Sequence, residues 1–140
     1  MAAQNLSLEW SEFEVYTKRV VQNLIDDNDF TDVTIISDDD RQIAAHKAIL
    51  SSCSPTFKNI LKSNPHNHPL LYIRGTHYQD LRALICFIYR GRTEVSQDNL
   101  NSFLSLASDF QIEGIGDNGA LLEEEQEPVF EPNLIEVERR

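Results

Sequence analysis

The clearest periodicity in the chain lies between Phe13 and Ile25. Phe13, Tyr16, Val20 and Leu24 recur at helical spacing, Val21 and Ile25 widen the stripe, and Glu12, Lys18 and Arg19 take other faces. The pattern predicts one amphipathic helix ending near Asp26-Asp27-Asn28-Asp29. It leaves open whether the stripe faces its own core or a second copy of the chain. In front of it, Leu6, Leu8 and Trp10 alternate with Ser7 and Glu9, which is a strand pattern. A short terminal strand frays unless something ties it down, so this one calls for a partner. The other reading is an unstructured leader whose alternation arose by chance.

From Phe30 to Phe57 the period changes several times. Val33-Thr34-Ile35-Ile36 is a strand of β-branched residues. Asp38-Asp39-Asp40-Arg41 breaks it as a turn, and Gln42-Ile43-Ala44-Ala45 resumes as the second strand of a hairpin. His46-Lys47-Ala48-Ile49-Leu50 opens a helix, and Ser54-Pro55 restarts another, because proline lacks an N–H that the first helical turn would leave unpaired anyway. The second helix runs over residues 56–62, followed by a turn-rich loop over residues 63–69 and a short strand over residues 70–73.

Residues 77–90 carry Tyr78, Leu81, Leu84, Ile85, Ile88 and Tyr89 at helical spacing, with Gly91 as the stop. Thr93-Glu94-Val95 reads as another minimal strand. Ser96 reads as the cap of a helix starting at Gln97, whose apolar stripe is Leu100, Phe103, Leu104 and Ala107. Helices dominate and short strands gather into a small sheet, so the fold class is α+β. Beyond Gly114 the character shifts. Residues 116–140 hold 8 acidic and 2 basic residues, a net of -6 out of the chain's -11. That composition predicts an acidic linker or tail without a core of its own. Val129, Phe130, Leu134, Ile135 and Val137 are apolar islands within it, able to dock as a short segment.

At 140 residues the chain suits one domain, able to fold without disulfide or metal. Its acidity argues against this chain itself gripping a nucleic-acid backbone. Cys53 and Cys86 make neither a disulfide framework nor a metal spacing and read as buried reduced thiols, which suits a cytosolic or nuclear chain. No apolar run is long enough for a membrane helix, and the N-terminal residues lack the pattern of a secretory signal.

Catalytic chemistry finds little support. His46 and Cys53 are two helical turns apart, but both sit in an apolar helical stretch, so the pair reads as structural. His66, His68 and His77 fall short of an organised zinc set, and the Pro-bracketed histidine loop reads as surface. No glycine-rich phosphate loop is present. Asp26-Asp27 and Asp38-Asp39-Asp40 lie in polar breaks, the wrong setting for acid–base work. The expectation is therefore no enzyme, no cofactor and no metal. What remains is interaction, through a terminal strand without a local partner and the helix stripe behind it.

At this point a resemblance emerges. Phe30-Thr31-Asp32-Val33-Thr34, the run from Ala45 to Phe57, Phe87-Ile88-Tyr89-Arg90-Gly91 and Leu104-Ser105-Leu106-Ala107 resemble the BTB/POZ domain family. Leu6-Ser7-Leu8-Glu9-Trp10, the loop from Pro65 to Pro69 and Gln111-Ile112-Glu113-Gly114-Ile115 are similar to its tramtrack subgroup of arthropod transcription factors. The likeness covers about residues 5–115, which sets a domain over 1–115 and the acidic region over 116–140. It implies a cluster of helices flanked by a small sheet, with the N-terminal strand exchanged between subunits. It also implies a homodimer built on the first helix, and higher multimers through sheets formed at the dimer edges.

Residue by residue, the resemblance makes Leu6, Leu8 and Trp10 the exchanged strand, and Phe13, Tyr16, Val20 and Leu24 the helix face at the dimer. Asp32 and Lys47 become a buried charged pair, and His46 a core histidine. Ser11-Glu12 departs from the subgroup, where Asn-Asn or Asn-Asp often follows the tryptophan, and Ala44 is smaller than usual. The implied partners are a second copy of the chain, related BTB domains, and corepressor or chromatin proteins, without direct nucleic-acid or membrane contact. The implied role is oligomerisation of a nuclear transcription or chromatin factor whose DNA-binding motifs lie elsewhere. A substrate adaptor for a cullin-type ubiquitin ligase is the alternative. The acidic, proline-containing region stands where such adaptors extend into further helices.

Overall fold

The structure, a computed structural model, describes residues 4–112. The expected division near residue 115 and the acidic region over 116–140 lie outside the described residues. In chain order the elements are α1 (Phe13–Asp27), β1 (Val33–Ile36), β2 (Gln42–Ala45), α2 (Lys47–Cys53), α3 (Pro55–Ser63), β3 (Leu70–Tyr72), α4 (Tyr78–Arg90) and α5 (Leu100–Asp109). A single 3-10 turn, Gln97–Asn99, leads into α5.

The three strands form one sheet in the order β2-β1-β3. β1 and β2 are the expected hairpin, antiparallel with Val33 opposite Ala45 and Ile36 opposite Gln42. Its turn closes through Ser37 N–H to the Arg41 carbonyl at 2.9 Å, with Asp40 in the left-handed region at φ 62. Aspartate tolerates that conformation better than most side chains. β3 arrives after the α2–α3 pair and lies parallel to β1, with Thr34 beside Leu70. A parallel neighbour requires a long crossover, and α2 and α3 supply it.

Alternation along β1 sends Val33 and Ile35 into the core, where Leu50, Phe57, Leu81, Leu84 and Phe103 meet them. Ser54 makes the break between α2 and α3. Its backbone is extended, and its hydroxyl accepts from Phe57 N–H at 3.0 Å while Pro55 occupies the first helical position. Gly91 ends α4 in the left-handed conformation at φ 82.

Several expectations are corrected. Thr93–Val95 forms no strand, because no ladder neighbour runs beside it in this sheet. Ser96 makes no side-chain cap bond, and the 3-10 turn stands where the first helical turn was expected. Cys53 and Cys86 are half-buried rather than buried, and neither forms a disulfide. Within this single chain Leu6–Trp10 carries no strand.

Candidate self-association surface

α1 has no buried residue along its whole length. Its stripe divides. Val21 and Ile25 pack against the core beside α4, and Leu24 is half-buried. An ion pair between Asp26 and Arg90 fastens the same end of the helix to α4. The other end turns its apolar side chains to solvent: Phe13 is 54% exposed, Tyr16 44% and Val20 40%. Ahead of the helix, Leu6, Leu8 and Trp10 are also exposed, the two leucines at more than 80%. Trp10 stacks on this helix face, with its ring 4.7 Å from that of Tyr16 and 5.5 Å from that of Phe13. The expected site residues at 6, 8, 10, 13, 16 and 20 are thus all exposed, and the aromatic three touch. Val15 and Phe30 join the exposed apolar set and went unselected in the sequence. The available signal for Phe30 was a large apolar residue inside the polar run from Asp26 to Asp32. These exposed apolar side chains lie together on one helix and its leader rather than scattered singly over the surface.

Behind this surface lies the polar bracket that holds the end of α1. His46 is 6% exposed. Its Nε2 is 2.6 Å from the Asp29 carbonyl and its Nδ1 is 2.8 Å from the Tyr89 hydroxyl. That hydroxyl also accepts from His46 backbone N–H at 2.9 Å. The set closes when Tyr89 donates to Nδ1 and Nε2–H donates to Asp29, so the neutral Nε2–H tautomer satisfies every group. Burial pushes the Tyr89 phenol well above its ordinary range, more than the His46 amide lowers it. His46 is therefore a structural link, and its ring is engaged with Tyr89 and Asp29. Tyr89, half of this link, was read only as an apolar helix position.

Asp32 and Lys47 do come together, but not as a buried ion pair. Asp32 Oδ1 accepts from Lys47 backbone N–H at 2.8 Å, and the Lys47 ammonium donates to the His66 carbonyl at 2.6 Å. Both residues are half-buried. The carboxylate serves the first N–H of α2, a group every helix leaves unpaired, and the ammonium stays where water reaches it. In the histidine loop, His68 Nε2 is 2.8 Å from Thr34 Oγ1. Among the described residues no group of three or more His, Cys, Asp or Glu side chains is arranged to hold a metal.

Comparison with known proteins adds an independent line. The family model described as BTB/POZ domain matches residues 21–121. Protein abrupt of Drosophila melanogaster is 39% identical over 114 residues, covering 81% of this chain and 12% of that protein. Protein tramtrack, alpha isoform, of the same organism is 35% identical over 115 residues, covering 82% of this chain and 14% of that protein. The chain therefore spans only about an eighth of the length of these curated relatives. Among solved structures, the BTB domain of zebrafish PATZ1 superposes with a TM-score of 0.68 at 17% identity, over 79% of this chain and 91% of that one.

Proposed function

The chain belongs to the BTB/POZ family, and from that premise we propose that it is a self-association module of a longer transcription or chromatin factor. The observation that carries the reading is α1 itself, a helix with no buried residue and with Phe13, Tyr16 and Val20 turned to solvent. A two-fold axis beside that face sets Trp10, Phe13 and Tyr16 of one copy against the same residues of the other, because a cyclic dimer uses one patch twice. Burying a large apolar side chain contributes about 1.5–3 kcal/mol. A handful of them offsets the freedom that two chains lose on association.

Leu6, Leu8 and Trp10 supply the exchanged strand. In extended chain Leu6, Leu8 and Trp10 share one face, and their backbone groups pair with a second copy. Further copies then join through sheets at the dimer edges. The role of such assembly is multivalency. Linked DNA-binding segments elsewhere in a nuclear protein engage clustered sites with a raised effective concentration, without any nucleic-acid contact by this acidic chain.

The test is the solution mass of the chain at micromolar concentration. The expected result is at least twice the 16.0 kDa of the single chain. A monomer by light scattering overturns the proposal.

A further inference from the structure

The first turn of α4 holds a charge that nothing else in the fold uses. Asp80 is only 8% exposed. Its backbone N–H donates to the His77 carbonyl at 3.1 Å. Among the described residues its carboxylate has neither a hydrogen-bond donor nor an ion-pair partner. The start of a helix favours a negative charge, but it gives this one no hydrogen bond. A carboxylate taken out of water without a donor is costly, and most buried polar groups have a partner.

Asp80 lines a cleft of about 350 Å³, a size within the range of about 300–1,000 Å³ typical of ligand sites. α4 contributes Tyr78, Gln79 and Asp80 to it, the approach to α5 contributes Asn99 and Ser102, and the β1–β2 turn contributes Asp39 and Arg41. Most donors here are already spent. Tyr78 N–H donates to Asp39 at 3.0 Å, Asn99 Nδ2 to Gln79 Oε1 at 3.3 Å, and the Ser102 hydroxyl to the Asn99 carbonyl at 3.0 Å. The Arg41 guanidinium lies over the Tyr78 ring, 3.9 Å from its centre, and forms no ion pair with Asp39 or Asp80. Acceptors are left over: the Asp80 carboxylate first, then Asn99 Oδ1 and the lone pairs of Ser102.

The surroundings are acidic on balance. Asp38 and Asp40 flank Asp39, and Asp98 precedes Asn99, so five aspartates stand here with Asp80 included. Against them are His77 and three arginines. Of these, Arg41 is stacked on Tyr78, Arg74 lies over the Tyr72 ring at 5.8 Å, and Arg82 is exposed on α4. No histidine, lysine or arginine nitrogen among the described residues pairs with Asp80.

We infer that this cleft receives an arginine side chain of a partner protein. A guanidinium places two parallel N–H groups on the Asp80 carboxylate and has others for Asn99 and Ser102. It also sheds water more readily than an ammonium does, which suits a carboxylate this buried. The arginine that already lines the cleft, Arg41, is held on Tyr78 and leaves the position open. The cleft shares no residue with the N-terminal face proposed for dimerisation, so either assignment can fail alone.

Amide NMR of the full chain, titrated with the peptide acetyl-Gly-Arg-Gly-amide, tests it. Saturable shifts at Gln79, Asp80, Asn99 and Ser102 are expected, with a Kd on the order of 1 mM. The same peptide with citrulline, whose neutral urea replaces the guanidinium, binds about tenfold more weakly or worse, and so does the arginine peptide on Asp80→Asn. Ser102→Arg changes an exposed position and supplies a guanidinium from the cleft itself. It keeps the fold and excludes the peptide, so it carries the test if Asp80→Asn does not fold. Equal affinity for the arginine and citrulline peptides overturns the inference, as does undiminished binding to Ser102→Arg or an absence of shifts at about 20 mM. Guanidinium chloride that binds as tightly as the peptide marks a site for small cations and removes the protein partner. Shifts at these amides on diluting the chain alone assign the cleft to a second copy, and overturn the inference as well.

Discussion

Asp32 meets Lys47 through the main chain. Its Oδ1 lies 2.8 Å from the Lys47 backbone nitrogen, while the Lys47 ammonium turns away to the His66 carbonyl. The carboxylate thus acts as a helix cap reached from the residue just ahead of β1. Asp32→Ala removes the acceptor and is expected to cost about 1 kcal/mol. Asp32→Asn keeps a side-chain oxygen in place and is expected to cost less than half of that. Urea midpoints of the two variants check the order. Equal loss in both identifies the charge, and not the acceptor, as the part that matters.

Ser54 connects two ends of the domain. It is fully buried, and its hydroxyl accepts from Phe57 N–H while donating to the Phe110 carbonyl at 2.5 Å. Ser54→Ala leaves both a helix N–H and a buried carbonyl without their partner. The expected loss is about 2 kcal/mol, with an unchanged denaturant slope. A midpoint equal to that of the native chain shows that water replaces the hydroxyl.

Asp39 sits in the hairpin turn and caps α4 from outside, accepting from Tyr78 N–H at 3.0 Å. The Ser37 hydroxyl holds its carboxyl below the ordinary value of 3.8, against a smaller opposing effect of burial. A carboxyl lowered on folding adds stability when ionised, fully above the unfolded value, and loses it as pH falls through the folded one. The native chain is therefore expected to melt above Asp39→Asn at neutral pH. The gap should close as the pH drops below 3.8. Melting scans across that range check it, and a gap that does not change with pH contradicts the assignment.

The exposed half of α1 separates folding from assembly. Tyr16→Glu with Val20→Glu alters side chains that the single chain leaves 44% and 40% exposed. The intrinsic cost to the fold is therefore within about 0.5 kcal/mol per site. The expected outcome is an unchanged circular dichroism spectrum with the solution mass reduced to 16.0 kDa. Deleting residues 1–11 removes Trp10 from the face but leaves Phe13, Tyr16 and Val20 in place, so higher multimers fall to a weakened dimer that persists. Light scattering on both variants reads the outcome, and native sizes in both remove the N-terminal face from assembly.

The local elements were legible in the residues. The 3.6-residue stripes of α1, α4 and α5, the β-branched run of β1, Ser54-Pro55 as a helix restart and Gly91 as a stop each follow from backbone and side-chain preferences that act within a few positions. The motifs between Phe30 and Ala107 were enough to place the chain in its family. Tertiary structure decided which atoms meet. Asp32 and Lys47 were legible as neighbours, but a carboxylate ion-pairs or caps a helix according to where a distant backbone N–H points. His46 and Tyr89 are 43 residues apart, and no local periodicity signals a hydroxyl that must serve two nitrogens at once. The same holds for the helix that opens the domain. Sequence showed that α1 is amphipathic, yet only packing divided its stripe, with Val21 and Ile25 taken by the core and Phe13, Tyr16 and Val20 left to solvent. Periodicity records that a face is apolar, and the space the rest of the chain has already filled determines how much of that face its own core can cover.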